Sequence, residues 1–419
     1  MTIQSREDGA SGAPVTPAAA ADATEVQARR TAPRPKAAGT RRWTTAAWLQ
    51  RYWYVTPVAI FAVSRVAQLL VLLPFLPSSA SVKGPLLRWD TKWLLQIARD
   101  GYPASVGAHE DFTGSAGGSF AFFPGYPMAV RAVHLVVRDW EIAAIAVAWI
   151  SAAVAATLVF ALARALYDDR VAFMLTALFC TQPLSMVFSL AYSDAFFLAL
   201  AFGALLAAYR QRWLLAGGLS FAAGLSRATG VAVALALVTA AVMYARKREH
   251  GRQRWVALAG AAIGTAGVPA YIAWVGVRFG DPAAWFRIQQ TGWGTQIDFG
   301  RSVYRRIIVR GLFHSKEFVL TSVALLLIVA AVATVIAIWM RVWPPLLVYG
   351  LVILALVYGQ AGPYGSKARL MVPALITLIP AAISLARARL RMALAMLILF
   401  SFLGLWYGAY MVTLWPNAP

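Results

Sequence analysis

From about residue 55 to the C-terminus, apolar runs of membrane-spanning length alternate with short polar, mostly basic joints. An α-helix needs about 20 predominantly apolar residues to cross a bilayer. The pattern predicts about eleven spans, at 55–77, 141–166, 170–190, 194–209, 213–229, 230–245, 255–277, 317–340, 343–359, 370–386 and 391–413. Gly224 and the segment 227–230 predict a break inside the 213–245 stretch. The runs are continuous rather than alternating, which favours helices over a β-barrel. The expected fold class is an all-α polytopic membrane protein.

Two longer intervals interrupt the apolar runs, at about 78–140 and 278–316, and both interleave polar residues with aromatics. In the first, Trp89, Trp93 and Ile97 recur every fourth residue while Arg88, Lys92 and Arg99 fall to another side, the pattern of an amphipathic helix lying in the membrane interface. A second interfacial helix is expected from the turn at 123–127 to about Arg138. The Gly/Ser-rich stretch 104–119, with His109, Glu110 and Asp111, reads as a mobile loop or lid, or simply as a solvated loop with incidental charges. Residues 1–42, rich in Ala, Pro, Thr and Gly, read as a disordered basic tail, leaving 43–419 as the transmembrane domain. The basic cluster at 246–254 and the other short basic joints place the N-terminus in the cytoplasm and the two long intervals outside, in the plasma membrane of a multi-pass protein.

Composition agrees with this reading: the 419 residues are 60% hydrophobic and 13% charged, against a quarter charged in an average soluble domain. The net charge of +21 would point to nucleic acid in a soluble chain. Here the cations sit between apolar runs, which suits phospholipid headgroups and anionic lipid-linked substrates and excludes nucleic acid as the expected partner. The single Cys180 rules out an intramolecular disulfide or a multi-cysteine metal site, and the four histidines form no zinc motif, so no metal or cofactor is expected.

The candidate chemistry begins with Asp90. A carboxylate just outside the first span can act as general base for a hydroxyl nucleophile; it can equally be the N-cap of the interfacial helix. Its neighbours Trp89 and Trp93 offer faces on which a sugar can stack. Asp194, at the outer end of a span, is a second candidate, with an N-cap role shared with Ser193 as the alternative. Arg227, among Gly and small residues, can bind a phosphate or snorkel to the membrane boundary. Lys367 and Arg369 put two cations in a short outer joint, against the positive-inside rule, which marks them for an anionic substrate such as a lipid phosphate. His134 reads as a polar contact, and Asp168 and Asp169 as solvated.

The segments Arg88-Trp89-Asp90-Thr91-Lys92-Trp93 and Ile97-Ala98-Arg99-Asp100-Gly101-Tyr102 resemble the first conserved block of the PIG-V-like mannosyltransferases, bacterial relatives of the eukaryotic GPI mannosyltransferase II. Four further segments resemble that family's blocks in the same order. These are 121–127, which contains Tyr126; 192–197, around Asp194; 226–230, around Arg227; and 366–373, with Lys367 and Arg369. The likeness runs from about residue 60 to 413. It implies a GT-C fold and a polyprenyl-phosphate-linked hexose, most often mannose, as donor. It also implies transfer with inversion at the non-cytoplasmic surface to a glycan, glycolipid or protein, without a metal. The resemblance maps the catalytic base onto Asp90. Beside it, Trp89, Trp93, Tyr126 and Asp194 are the candidate substrate contacts, and Arg227, Lys367 and Arg369 the candidate groups to stabilise the departing phosphate that the donor implies. Lys92, Leu94, Asp194 and Gly125 depart from the family pattern, which bears on the acceptor more than on the fold. A transporter or flippase of lipid-linked sugars, or a non-catalytic scaffold of a cell-envelope assembly, are the competing readings.

Overall fold

The computed structural model describes residues 53–77, 81–103, 118–247, 249 and 251–418. The expected tail at 1–42 and most of the expected lid lie outside the described residues. Among the described residues the protein is helical, and its only strand-like pairing is an isolated bridge between Ile297 and Gln360. The fold class is therefore the expected one.

Each predicted span overlaps a helix, though the α-helix within 170–190 ends at Thr181 and 370–386 is broken after Met371. Five helices are long and apolar enough to cross a membrane, Thr56–Phe75, Trp140–Leu166, Gln253–Phe279, Phe318–Trp339 and Leu390–Thr413. A sixth crossing is made if Gly365–Met371 and Leu375–Arg387, bent by 88° at the break between them, count as one. The remaining segments form shorter helices, so helix length does not establish the count of eleven. The chain is a multi-pass membrane protein by its apolar helices.

The elements that build the site are, in chain order, α1 (Thr56–Leu72), α2 (Lys83–Leu86), α3 (Thr91–Asp100), α4 (Gly125–His134), α5 (Trp140–Leu166), α6 (Asp169–Thr181), α7 (Ser193–Tyr209), α8 (Trp213–Gly224) and α9 (Gly230–Ala245). They continue with α10 (Gln253–Thr265), α11 (Gly267–Phe279), α12 (Ala284–Trp293), α13 (Arg310–Phe313), α14 (Phe318–Trp339), α15 (Pro344–Gly359), α16 (Gly365–Met371), α17 (Ile379–Arg387) and α18 (Leu390–Thr413). The break expected within 213–245 is the turn between α8 and α9.

Local sequence explains several boundaries. The Asp139 carboxylate accepts from the Glu141 and Ile142 amides at 2.8 and 3.0 Å and so caps α5. Asp168 caps α6 in the same way, and Asp169 pairs with Arg164 at 2.6 Å, so neither acid is merely solvated. Lys83 bonds Glu141 at 2.7 Å and holds α2 against the start of α5; that hydrogen bond raises its ammonium above the ordinary value.

Small residues let the helices approach, as they must where lipid supplies no hydrophobic drive between them. Gly217 of α8 lies against the Gly260 backbone of α10, and Gly404 of α18 lies against the Thr181 carbonyl of α6. Inside the bundle, the wholly buried Arg65 of α1 donates to the carbonyls of Cys180 and Ser185 and to Ser189 Oγ at 2.6, 2.9 and 3.0 Å. Gln68 donates to the Leu405 carbonyl at 3.0 Å. Such buried polar groups are tolerable because they are bonded, and they tie α1 to α6 and α18.

Both helices expected in the first long interval form, the second ending at His134 rather than near Arg138. Helix α3 buries Thr91, Leu94, Leu95, Ile97 and Ala98 and exposes Lys92 and Arg99. Helix α4 packs Tyr126 and Val130 towards Ala143, Ala144 and Val147 of α5. The second long interval contributes α12, which meets the first: Gln289 donates to the Ala121 carbonyl at 3.0 Å, and Tyr271 of α11 to the Phe122 carbonyl at 2.8 Å. The two long intervals therefore lie at the same end of the bundle, as the sequence predicts.

Candidate active site

Four charged side chains from four separate elements converge at that end. Asp90 immediately precedes α3, Asp194 is the second residue of α7, Arg227 lies in the α8–α9 turn and Arg369 lies on α16. Arg369 donates to Asp90 Oδ2 at 2.7 Å, and its Nε lies 3.6 Å from Asp194 Oδ2. Arg227 pairs with the same Asp194 oxygen at 2.8 Å and donates to Ser193 Oγ at 3.2 Å. All four are largely withdrawn from solvent. Asp90 is the most open, with 18% of its side chain exposed against 4% for Asp194. Two acids and two arginines balance in charge, which is what makes their burial tolerable.

Neither acid is a cap. Asp90 occupies the residue before α3, but its side chain makes no capping hydrogen bond there, because the carboxylate turns to Arg369. Asp194 lies inside the first turn of α7, whose preceding residue is Tyr192 rather than Ser193.

Tyr192 organises the cluster; the sequence places it in the 192–197 block without singling it out as a site residue. Its ring lies under Arg369, 4.5 Å from the guanidinium carbon. Its hydroxyl donates to the Arg88 carbonyl at 3.3 Å and accepts from the Asp90 amide at 3.4 Å, spanning Trp89. The adjoining backbone is zipped to the first loop by the Ala191 amide on the Leu86 carbonyl at 3.0 Å. Trp89 itself holds φ at +51°, a left-handed conformation that costs a non-glycine residue about 1–2 kcal/mol. The bonds on either side of it, and the Arg88 guanidinium stacked 4.4 Å from its ring, hold the turn that aims Asp90.

The other predicted contacts are placed unequally. Trp93 is half-buried beside Phe122 and Trp293, with ring centroids 6.4 and 6.5 Å away, so its aromatic wall draws on both long intervals. The Lys92 ammonium lies 4.8 Å from the Trp93 ring. Tyr126 is wholly buried and donates to the Ala144 carbonyl at 2.8 Å. It fastens α4 to α5 and offers no face to a substrate, which corrects its assignment as a contact. The Lys367 ammonium is engaged by the backbone: its Nζ donates to the carbonyls of Val357 and Gln360 at 2.8 and 2.5 Å, closing the C-terminal end of α15. Arg227 neither snorkels nor offers a free guanidinium, since Asp194 and Ser193 engage it. Gly125, a departure from the family pattern, donates its amide to the Leu225 carbonyl at 2.8 Å, and a side chain there would run into Ser226. His134 stacks on Trp140 at 3.6 Å between centroids. Among the described residues no three His, Cys, Asp or Glu side chains gather to hold a metal ion.

The arrangement can present one partly open carboxylate, Asp90, beside an arginine that an anion could recruit, in a setting walled by aromatic rings.

No protein-family model matches the chain, and no curated protein matches it. Among solved structures it is similar to the oligosaccharyltransferase of Archaeoglobus fulgidus. With the apo form the identity is 14% and the TM-score 0.47, over 89% of this chain and 57% of that one. With the form tethered to an acceptor peptide the identity is 15% and the TM-score 0.46, over 89% and 56%. With the form bound to an inhibitory peptide and a dolichol-phosphate the values are 15% and 0.43, over 87% and 56%. The chain spans a little over half the length of these structures. A likeness this distant assigns no substrate and no residue role.

Proposed function

We propose that the chain is an integral membrane glycosyltransferase of the GT-C-like kind. It moves a hexose, mannose first among the candidates, from a polyprenyl-phosphate donor to an acceptor at the extracytoplasmic face. The observation that carries this reading is the Asp90–Arg369 pair beside the Asp194–Arg227 pair, four charged groups brought to one end of the bundle next to stacked aromatics. Three of the four are the residues expected from the sequence for the base (Asp90) and for phosphate recognition (Arg227 and Arg369); Asp194 is expected as a substrate contact.

In the proposed reaction the acceptor oxygen attacks the anomeric carbon as its proton passes to Asp90. The bond from that carbon to the phosphate oxygen breaks, and the polyprenyl phosphate leaves with the electron pair. The anomeric centre inverts. Arg369 is held by Asp90 in the resting protein, and an anionic phosphate that competes for this guanidinium frees the carboxylate to take the proton. Asp194 and Arg227 fix Arg369 and Tyr192 in place rather than touching the sugar.

The test is transfer of label from polyprenyl-phosphate-[³H]mannose to a membrane lipid extract by the purified protein in nanodiscs, beside Asp90→Asn. Label transfer by the wild type, lost in a folded Asp90→Asn protein, supports the reading. Translocation of the donor across liposomes without product would replace it with a transporter. Absence of turnover with several donor sugars, in a protein shown to be folded, would leave a scaffold.

A further inference from the structure

The three cations marked in the sequence for a phosphate are all engaged: Arg227 and Arg369 by carboxylates and Lys367 by two backbone carbonyls. Two further cations flank Asp90 in sequence: Lys92 is exposed over the Trp93 ring, and Arg88 is half-buried beside Trp89; Arg88 is the one tied into the bundle. It makes no ion pair among the described residues; one guanidinium nitrogen donates to the Val412 carbonyl at 2.9 Å, and its plane rests on Trp89. Most of the five donors of an arginine fork are thus uncommitted, two residues from the candidate base.

Val412 lies near the C-terminal end of α18. About 9 Å back along that helix, by the 1.5 Å rise of each residue, Trp406 lines an apolar cavity of about 540 Å³ between α1 and α18. Its other walls are Leu70, Val71, Pro74, Phe75 and Phe402. Leu70 and Phe402 are well exposed, on helices long and apolar enough to face lipid. The cavity sits at the loop end of α1, since Phe75 ends the first span and the chain leads from there to Arg88.

We infer that Arg88 and the α1–α18 groove form the donor site: Arg88 binds the phosphate of the lipid-linked sugar, and the groove takes the first isoprene units. This rests on the transferase reading and names the seat of its donor. Two features single out an anionic lipid from other occupants. A cation without a carboxylate partner among the described residues is fastened to α18 at Val412, six residues beyond the groove wall at Trp406, and every groove wall is apolar. With the head at Arg88, the phosphate comes to the turn that carries Asp90, where it can draw Arg369 from that carboxylate. The resting cluster is neutral, so the donor's negative charge needs a further cation, and Arg88 provides it.

The test uses undecaprenyl phosphate carrying a photoreactive group in its first isoprene units, added to the full-length protein in nanodiscs. The expected result is label on peptides containing Phe75, Phe402 or Trp406, displaced by unlabelled undecaprenyl phosphate and not by equimolar phosphatidylglycerol. Arg88→Gln should weaken binding about tenfold, the scale of one charge-assisted hydrogen bond, and Arg88→Lys should restore part of it. Phe402→Trp, which narrows the groove without touching Arg88, should weaken binding with an unchanged melting temperature. Label elsewhere, with turnover intact, overturns this inference and leaves the transferase standing. Equal displacement by phosphatidylglycerol makes the groove an ordinary lipid seat and also overturns it. No specific labelling and no turnover reject both.

Discussion

Arg369 bonds Asp90 across 279 positions of sequence, and its Nε also faces Asp194, so one guanidinium ties together the carboxylates at the starts of two different helices. The ring of Tyr192 supports it from below. On the proposed reading, Asp90 and an incoming phosphate compete for the Arg369 guanidinium, so that binding of the lipid-linked sugar would release the carboxylate.

Replacing Asp90 by Asn should abolish transfer, with turnover reduced by about 10²–10⁴, the range of a positioned general base. The amide can still accept a hydrogen bond from Arg369 but leaves the cluster with a net positive charge, so the melting temperature in detergent should fall, by less than for Arg369→Ala. Asp90→Glu should retain a fraction of the rate. Full activity of the Asn protein would remove Asp90 from the chemistry.

Arg369→Ala should be more damaging to the fold than Asp90→Asn, because it strands the buried Asp194 beside a single arginine. Breaking a buried pair by removing one partner costs about 3–5 kcal/mol; here the lower end applies, since Arg227 still pairs Asp194 and Asp90 is 18% exposed. A double-mutant cycle of Asp90→Ala with Arg369→Ala, read by denaturation in mild detergent, should return a coupling of about 1–3 kcal/mol. Additive losses would mean that the pair contributes nothing as a pair.

The sequence exposes the residue types of this cluster but not their pairing. Asp90 stands out as an acid among aromatics at the edge of a span, and Lys367 and Arg369 as cations in a joint that topology expects to lack them. Two residues apart on a helix, however, side chains point about 200° apart, so only one of the two can face the acids. Which one does so depends on how α16 is set by the 88° bend that follows it, a tertiary fact. Tyr192 has no charge to draw notice, and its role comes from contacts with residues about 100 positions earlier. Arg65 was legible in principle, as an arginine within the first apolar run. Its partners are carbonyls freed where the helix α6 ends, and no side-chain pattern records those.

Lys367→Met keeps most of the side-chain volume and removes the ammonium. The prediction is a loss of stability of about 2 kcal/mol, the cost of leaving buried carbonyls without a donor, seen as a lowered melting temperature. The apparent affinity for polyprenyl phosphate should stay within about twofold of wild type, since this ammonium is spent on Val357 and Gln360. A tenfold loss of affinity in a protein of unchanged stability would return Lys367 to the list of phosphate ligands.

Tyr126→Phe separates packing from recognition at the one aromatic whose sequence setting marks it for substrate and whose structure marks it for the core. The ring is wholly buried among α4, α5 and the start of α7, and only its hydroxyl bond to the Ala144 carbonyl is lost on substitution. A single neutral hydrogen bond contributes about 1 kcal/mol, and the orphaned carbonyl keeps its place in the helical ladder of α5. The variant should therefore melt slightly lower and transfer sugar at the wild-type rate with the wild-type donor KM. If Tyr126 touched substrate, the KM would rise while the melting temperature stayed put, the reverse of the pattern its burial requires.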